Sequence, residues 1–210
     1  LVAKNASEAQ TLLSNLPEEG PAVLVEVSNP FLTAMASGVI VGQSFHQCPV
    51  RSDQELEKFT GQVREQIHEA LHAGVDGVFY RLGGANPHHA SPMEYQGLYF
   101  ERDYALLSEI SDARFNVLFV EGEEDPYLDL VHELPASALM WEDDEAWPPA
   151  KVREFHSGAL VVKLWRDLSQ EWERLEGTGV LFGARVVDMN VLDLKDMVDR
   201  IMSLKGGREG

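Results

Sequence analysis

The chain predicts an α/β fold, a partial TIM-type (β/α) barrel with about six parallel strands, and three observations lead to it. First, short apolar runs ending in charged or aromatic residues recur at Gly74–Arg81, Phe115–Glu121, Ser137–Glu142, Leu160–Arg166 and Gly179–Gly183, after an earlier run at Ala22–Val27. Second, helical segments separate them, and parallel strands require such crossovers. Third, the runs are nearly continuous in apolar character, as buried parallel strands are. A closed barrel needs eight strands and about 250 residues. At 210 residues the chain stops short of that, by roughly two β/α units.

Each element has its own signal. Residues 7–16 predict a helix capped by Ser7, with Leu12, Leu13 and Leu16 on its apolar side. Pro17–Pro21 is a turn, and Ala22–Val27 a strand that stops at Ser28-Asn29-Pro30. Ser52 followed by Glu55 reads as a capping box opening a helix over 52–73, with Leu56, Phe59, Val63, Ile67 and Leu71 in one stripe and Gly74 as its C-cap. Ser91-Pro92-Met93-Glu94 opens the next helix, which runs to Ile110 with a break near Gly97. Asp125-Pro126 begins a helix through Leu134, and Pro148-Pro149 one to Phe155. Helices over Asp167–Leu175 and Asp193–Leu204 complete the alternation. One domain over 1–205 and a frayed tail at 206–210 follow.

Composition narrows the partners. Seventeen Lys and Arg stand against 35 Asp and Glu, a formal charge of −18. Such a surface repels phosphate backbones and anionic membranes, which excludes nucleic acid and membrane as expected partners. The single cysteine, Cys48, excludes an intrachain disulfide, and no span-length apolar stretch or leader opens the chain, so the expected location is cytoplasmic. An incomplete barrel exposes sheet edges, so the chain is expected to form a homo-oligomer or to follow an upstream segment.

Three blocks resemble the uroporphyrinogen decarboxylase family: Val25-Glu26-Val27-Ser28-Asn29-Pro30-Phe31-Leu32-Thr33; Ala73-Gly74-Val75-Asp76-Gly77-Val78 with Ala90-Ser91-Pro92-Met93-Glu94-Tyr95; and Leu118-Phe119-Val120-Glu121-Gly122 with the Leu139-Met140-Trp141 strand. Their order matches the later two-thirds of a family member. The resemblance implies a barrel with its site at the strand C-termini and one of two chemistries. One is cofactor-free decarboxylation of porphyrinogen acetate side chains, a lyase step of porphyrin biosynthesis. The other is methyl transfer, in which zinc activates a thiol and a corrinoid exchanges methyl groups. A barrel remnant that binds a ligand or partner without catalysis is the further alternative. The family's tyrosine slot holds Ala34 here, its late histidine falls near Ala184, and the His and Cys of its methyltransferases fall at Phe119 and Glu121.

The strand ends supply the candidate chemistry. Glu121, Arg81 and Glu142 are the catalytic candidates, and Glu26, Asn29, Tyr80, Trp141, Arg166 and Arg185 the substrate-binding ones. Arginine binds carboxylates bidentately, so the expected partner is a carboxylate-bearing small molecule. A carboxylate–arginine pair is equipped to move a proton and to stabilise developing charge. His88 and His89, in the loop after Gly83-Gly84, are the only metal candidates; adjacent loop histidines diverge, and no cofactor is expected outside the methyltransferase alternative.

Overall fold

A computed structural model describes residues 1–17, 20–39, 49–122, 124–142, 145–163 and 180–183. The expected helices at Asp167–Leu175 and Asp193–Leu204, and the candidates Arg166 and Arg185, lie outside the described residues.

The chain runs β1 (Val2–Ala3), α1 (Ala6–Asn15), β2 (Leu24–Ser28), α2 (Pro30–Ala36), α3 (Pro49–His72), β3 (Gly77–Leu82) and α4 (Pro92–Tyr95). A π-helical turn (Gln96–Phe100) leads into α5 (Glu101–Ser108), β4 (Val117–Val120), α6 (Leu128–Val131), β5 (Ala138–Trp141), α7 (Pro149–Val152), β6 (Ala159–Lys163) and β7 (Val180–Gly183). All strand pairs are parallel and lie in sequence order, β1 to β7. No β1–β7 pairing closes the sheet among the described residues. The described residues form an open arc of a β/α barrel, with seven strands where about six were expected. The extra strand is β1, whose two residues are too short to form an apolar run; it pairs Val2 with Leu24 and is anchored by the Leu1 amino group on the Ala22 carbonyl at 2.6 Å.

Side chains alternate across a strand, and this sorts the core into two layers. Val25, Val27, Val78, Tyr80, Leu82, Leu118, Val120, Leu139, Trp141, Leu160 and Val162 pack outward in the large core that also buries Leu56, Phe59, Val63 and Ile67 of α3. The intervening positions, Leu24, Val117 and Ala138 with Phe79, Met140, Ala159 and Val161, form a second cluster on the inner face.

Several element ends differ from expectation for local reasons. Asn5, not Ser7, caps α1: its side chain accepts from the Glu8 amide, and the Glu8 carboxylate accepts from Lys4. Ser52 lies inside α3 rather than ahead of it, because Pro49 already occupies the first turn, where a missing N–H costs nothing. The helix expected from Asp125 shrinks to α6, since Asp125 takes a left-handed conformation (φ 39°) and its carboxylate accepts from the Trp147 indole at 3.1 Å. After α7 the chain tightens into i→i−3 turns at Glu154 and Phe155. Ser91 and Glu94 do form their capping box. The break near Gly97 is the π-helical turn.

Gly77 opens β3 with the Phe115–Asn116 segment packed close against its Cα. A Cβ there would stand 2.1 Å from the Phe115 carbonyl oxygen. Gly77→Ala is therefore expected to lower the free energy of urea unfolding by about 1–3 kcal/mol, the usual cost of overpacking; an unchanged midpoint would contradict the packing described.

Candidate functional site

Inner-face side chains near the strand C-termini carry the charge. Arg81 sits beside Ser28 and Phe119 in register, one layer above the Glu26–Phe79–Val117 row. Its guanidinium spans the arc: Nη1 donates to Glu26 at 2.8 Å, and Nε donates to Glu121, the residue just past β4. Glu121 is 19% exposed, Arg81 35% and Glu26 37%, so solvent reaches the group without flooding it. Burial opposes the Arg81 charge, but the hydrogen bonds it donates to Glu121 and Glu26 and their negative charge outweigh it and hold the guanidinium above its ordinary range. Below the triad, the Phe79 and Phe119 rings meet at 5.5 Å.

Glu142 joins from the end of β5, its carboxylate accepting from the Gly122 amide at 2.8 Å. Gly122 (φ 144°) lies against Asn86, whose amide nitrogen donates to the Glu121 carbonyl at 3.4 Å. The loop carrying Asn86 is seated on α2: a Cβ on Gly83 would collide with Leu32, and one on Gly84 (φ 89°) with the Phe31 ring. His88 and His89 diverge within it. His88 pairs with exposed Glu124 at 3.0 Å, and His89 packs on Phe31 with ring centres 5.0 Å apart. Burial, then His88, lowers the His89 pKa against the opposing pull of Glu121. Among the described residues no three His, Cys, Asp or Glu side chains gather as a metal site.

Glu26, Arg81, Glu121 and Glu142 thus share one face, whereas Tyr80, Trp141 and Asn29 do not join them. Tyr80 precedes inward Arg81 and Trp141 precedes Glu142, so alternation turns both outward; they are 0% and 3% exposed. The Trp141 indole donates to the Trp147 carbonyl at 2.9 Å. Asn29 is buried as the cap of α2, with its oxygen accepting from Leu32 and Gly83 and its nitrogen donating to Gly83 and Asp103. No substrate-binding position at the mouth remains for these three.

Sequence reasoning missed Asp103. Its carboxylate is 0% exposed and accepts from Tyr80 at 2.7 Å, Tyr95 at 2.8 Å and Asn29 at 3.3 Å. Burial pushes its pKa up to about 6, while the Tyr80, Tyr95 and Asn29 hydrogen bonds and the Arg102 charge pull the other way. The same burial, then Asp103, pushes both tyrosines up. A sequence signal existed: Asp103 stands on the stripe of Leu106, Leu107 and Ile110, all buried.

No family model matches the chain, and no curated protein does. Solved structures do. A methyltransferase from Methanosarcina mazei superposes with a TM-score of 0.71 at 18% identity, covering 94% of this chain and 64% of its own. A dihydrodipicolinate synthase from Bacillus clausii gives 0.45 at 15% identity, covering 94% of this chain and 67% of its own. The sheet topology and the first likeness make this a TIM-barrel-type α/β chain. It spans just under two-thirds of the length of that methyltransferase. No helix among the described residues is long and apolar enough to cross a membrane.

Asp103 generates a signed pH effect. Its folded pKa lies above the unfolded value, so its contribution is fully present below about pH 4 and is lost as pH rises through about 6. The stability difference between wild type and D103N is expected to shift by about 1 kcal/mol between pH 5 and pH 7, wild type gaining toward pH 5. Urea unfolding at both pH values measures it, and a pH-independent difference rules the assignment out.

Proposed function

We propose that this chain forms the strand-end face of a barrel enzyme of the uroporphyrinogen decarboxylase type, and that its chemistry is methyl transfer to a carboxylate-bearing small molecule. The observation that carries the reading is the meeting of Arg81 with Glu26 and Glu121, beside Glu142, at the end of the strands where barrel enzymes do their chemistry. The fold likeness to a methyltransferase favours methyl transfer over decarboxylation.

In this reading the acceptor nucleophile attacks the methyl carbon of a separate methylated donor, the donor–methyl bond breaks and the demethylated donor leaves with the bonding pair. Glu121 takes the nucleophile's proton, and Arg81 keeps that carboxylate oriented. The substrate carboxylate takes the Nη edge of Arg81 by displacing Glu26, the more exposed of its two partners. The family's zinc does not fit the described residues. The two positions matched to its His and Cys hold Phe119, which cannot ligate, and Glu121, which is engaged by Arg81. No step is assigned to a metal here. A second reading, a ligand-binding barrel without catalysis, draws on the same triad: an arginine already neutralised by two glutamates is also a structural ion pair across the barrel mouth.

Three variants separate the readings. Arg81→Ala is expected to cost about 1 kcal/mol or less of stability, because the pair is partly solvated, yet to abolish binding of a small dicarboxylate in calorimetry. Glu26→Gln is expected to tighten that binding several-fold by removing the competing carboxylate, roughly the effect of 1 kcal/mol. Glu121→Gln is expected to leave binding intact and to reduce methyl transfer by about 100-fold, the lower end of general-base effects. Binding that persists in Arg81→Ala would overturn the substrate assignment. Full methyl transfer in Glu121→Gln would overturn the base assignment, and binding without methyl transfer in wild type would leave the second reading.

A further inference from the structure

A buried polar cluster lies on the outer side of β3, behind the mouth arginine. Asp103 on α5 gathers three donors from three elements: Tyr80 from β3, Tyr95 from α4 and Asn29 from the start of α2. Of these, Asn29 also touches the mouth. Its backbone N–H donates to the Arg81 carbonyl at 2.9 Å. Its side-chain oxygen accepts from the Gly83 N–H at 3.3 Å, and its side-chain nitrogen donates to the Gly83 carbonyl at 3.1 Å. One residue therefore brackets the backbone on both sides of Leu82.

The amide is fully committed. An asparagine has two acceptor sites and two donor hydrogens; here Leu32 and Gly83 fill the acceptors, and Gly83 and Asp103 take the donors. The Leu32 and Gly83 N–H groups and the Gly83 carbonyl set which way the amide faces, and Asp103 takes its remaining N–H and ties the side chain to α5. With an acceptor at that place, the nitrogen points at Asp103 and the oxygen at the two N–H groups. Without one, the amide's remaining N–H is left buried and unpaired and the side chain loses its tie to α5. The titratable groups facing Asp103 among the described residues are Tyr80 and Tyr95 by contact, Tyr99 from the π-helical turn, and Arg102 from its own helix, itself paired with Asp53 of α3.

We propose that Asp103 is a positioning residue for Arg81, acting through the Asn29 amide that clamps the tip of β3 and so aims the guanidinium at Glu26 and Glu121. This deepens the reading of the mouth as the functional site but is tested without substrate, so its failure and that of methyl transfer are separable.

The readout is solvent exchange of the Arg81 Nε–H, which the Glu121 hydrogen bond protects, measured by NMR on the 15N-labelled chain. Asp103→Asn and Asn29→Ala are each expected to speed that exchange by about tenfold, as a loosened tip opens the ion pair more often. Tyr99→Phe is the control. Its hydroxyl is buried nearby with no hydrogen-bond partner among the described residues, so its loss is expected to leave Arg81 exchange within about twofold of wild type. Should Asp103→Asn and Asn29→Ala fail to fold, Tyr80→Phe and Tyr95→Phe, each removing one donor from Asp103, are expected to raise the rate by about threefold. Lowered melting temperatures with unchanged Arg81 exchange in the folded variants would overturn the proposal and leave Asp103 a packing residue alone.

Discussion

Alternation across parallel strands governs this chain more than any single contact. Each strand offers one set of side chains to the helices and the next set to the inner face. In-register pairing from β2 to β6 keeps those sets in rows. The outward rows are aliphatic and aromatic and bind the helices to the sheet. The inward rows are apolar at Phe79, Val117 and Ala138, and gain charge only toward the strand ends, at Arg81, Glu121 and Glu142. Burial of the lower rows limits where a charged group can be carried without stranding it in the core. The charge is confined to the mouth by the same pattern that builds the wall.

Electrostatics at the two levels are solved differently. At the mouth, one guanidinium holds two carboxylates, a partly solvated arrangement whose net stabilisation is small. Its value lies in orientation, because Glu26 and Glu121 approach the same cation from adjacent layers. Behind the sheet no counter-ion among the described residues touches Asp103; neutral hydroxyl and amide dipoles do the work instead. Leaving any one of them out would cost about 1–3 kcal/mol through an unsatisfied buried group. That cost explains why three elements far apart in sequence are tied to a single side chain.

Much of this was legible beforehand. The apolar runs located six of the seven strands, and the α3 stripe of Leu56, Phe59, Val63 and Ile67 is buried as its spacing requires. Glu26, Arg81, Glu121 and Glu142 were readable because each lies at or beyond the charged end of a run. Tyr80 and Trp141 were misplaced for one reason: both are adjacent to an inward residue, and two neighbours on a strand cannot face the same way. Strand β1 carries too few residues to show a period. Asp103 escaped notice because its partners come from β3, α4 and the Asn29 cap, a convergence that only the tertiary fold creates.

The π-helical turn at Gln96–Phe100 has a consequence for the buried network. In an unbroken α-helix, residues eight apart are rotated by about 80° around the axis, which would swing Tyr95 off the side of Asp103. The wider winding absorbs most of that rotation, and the two side chains come to lie along one edge. The turn thus takes up one extra residue without changing azimuth: excising Gly97 would leave the two side chains seven apart in a regular coil, about 20° from alignment, with the tyrosine still on the carboxylate's side.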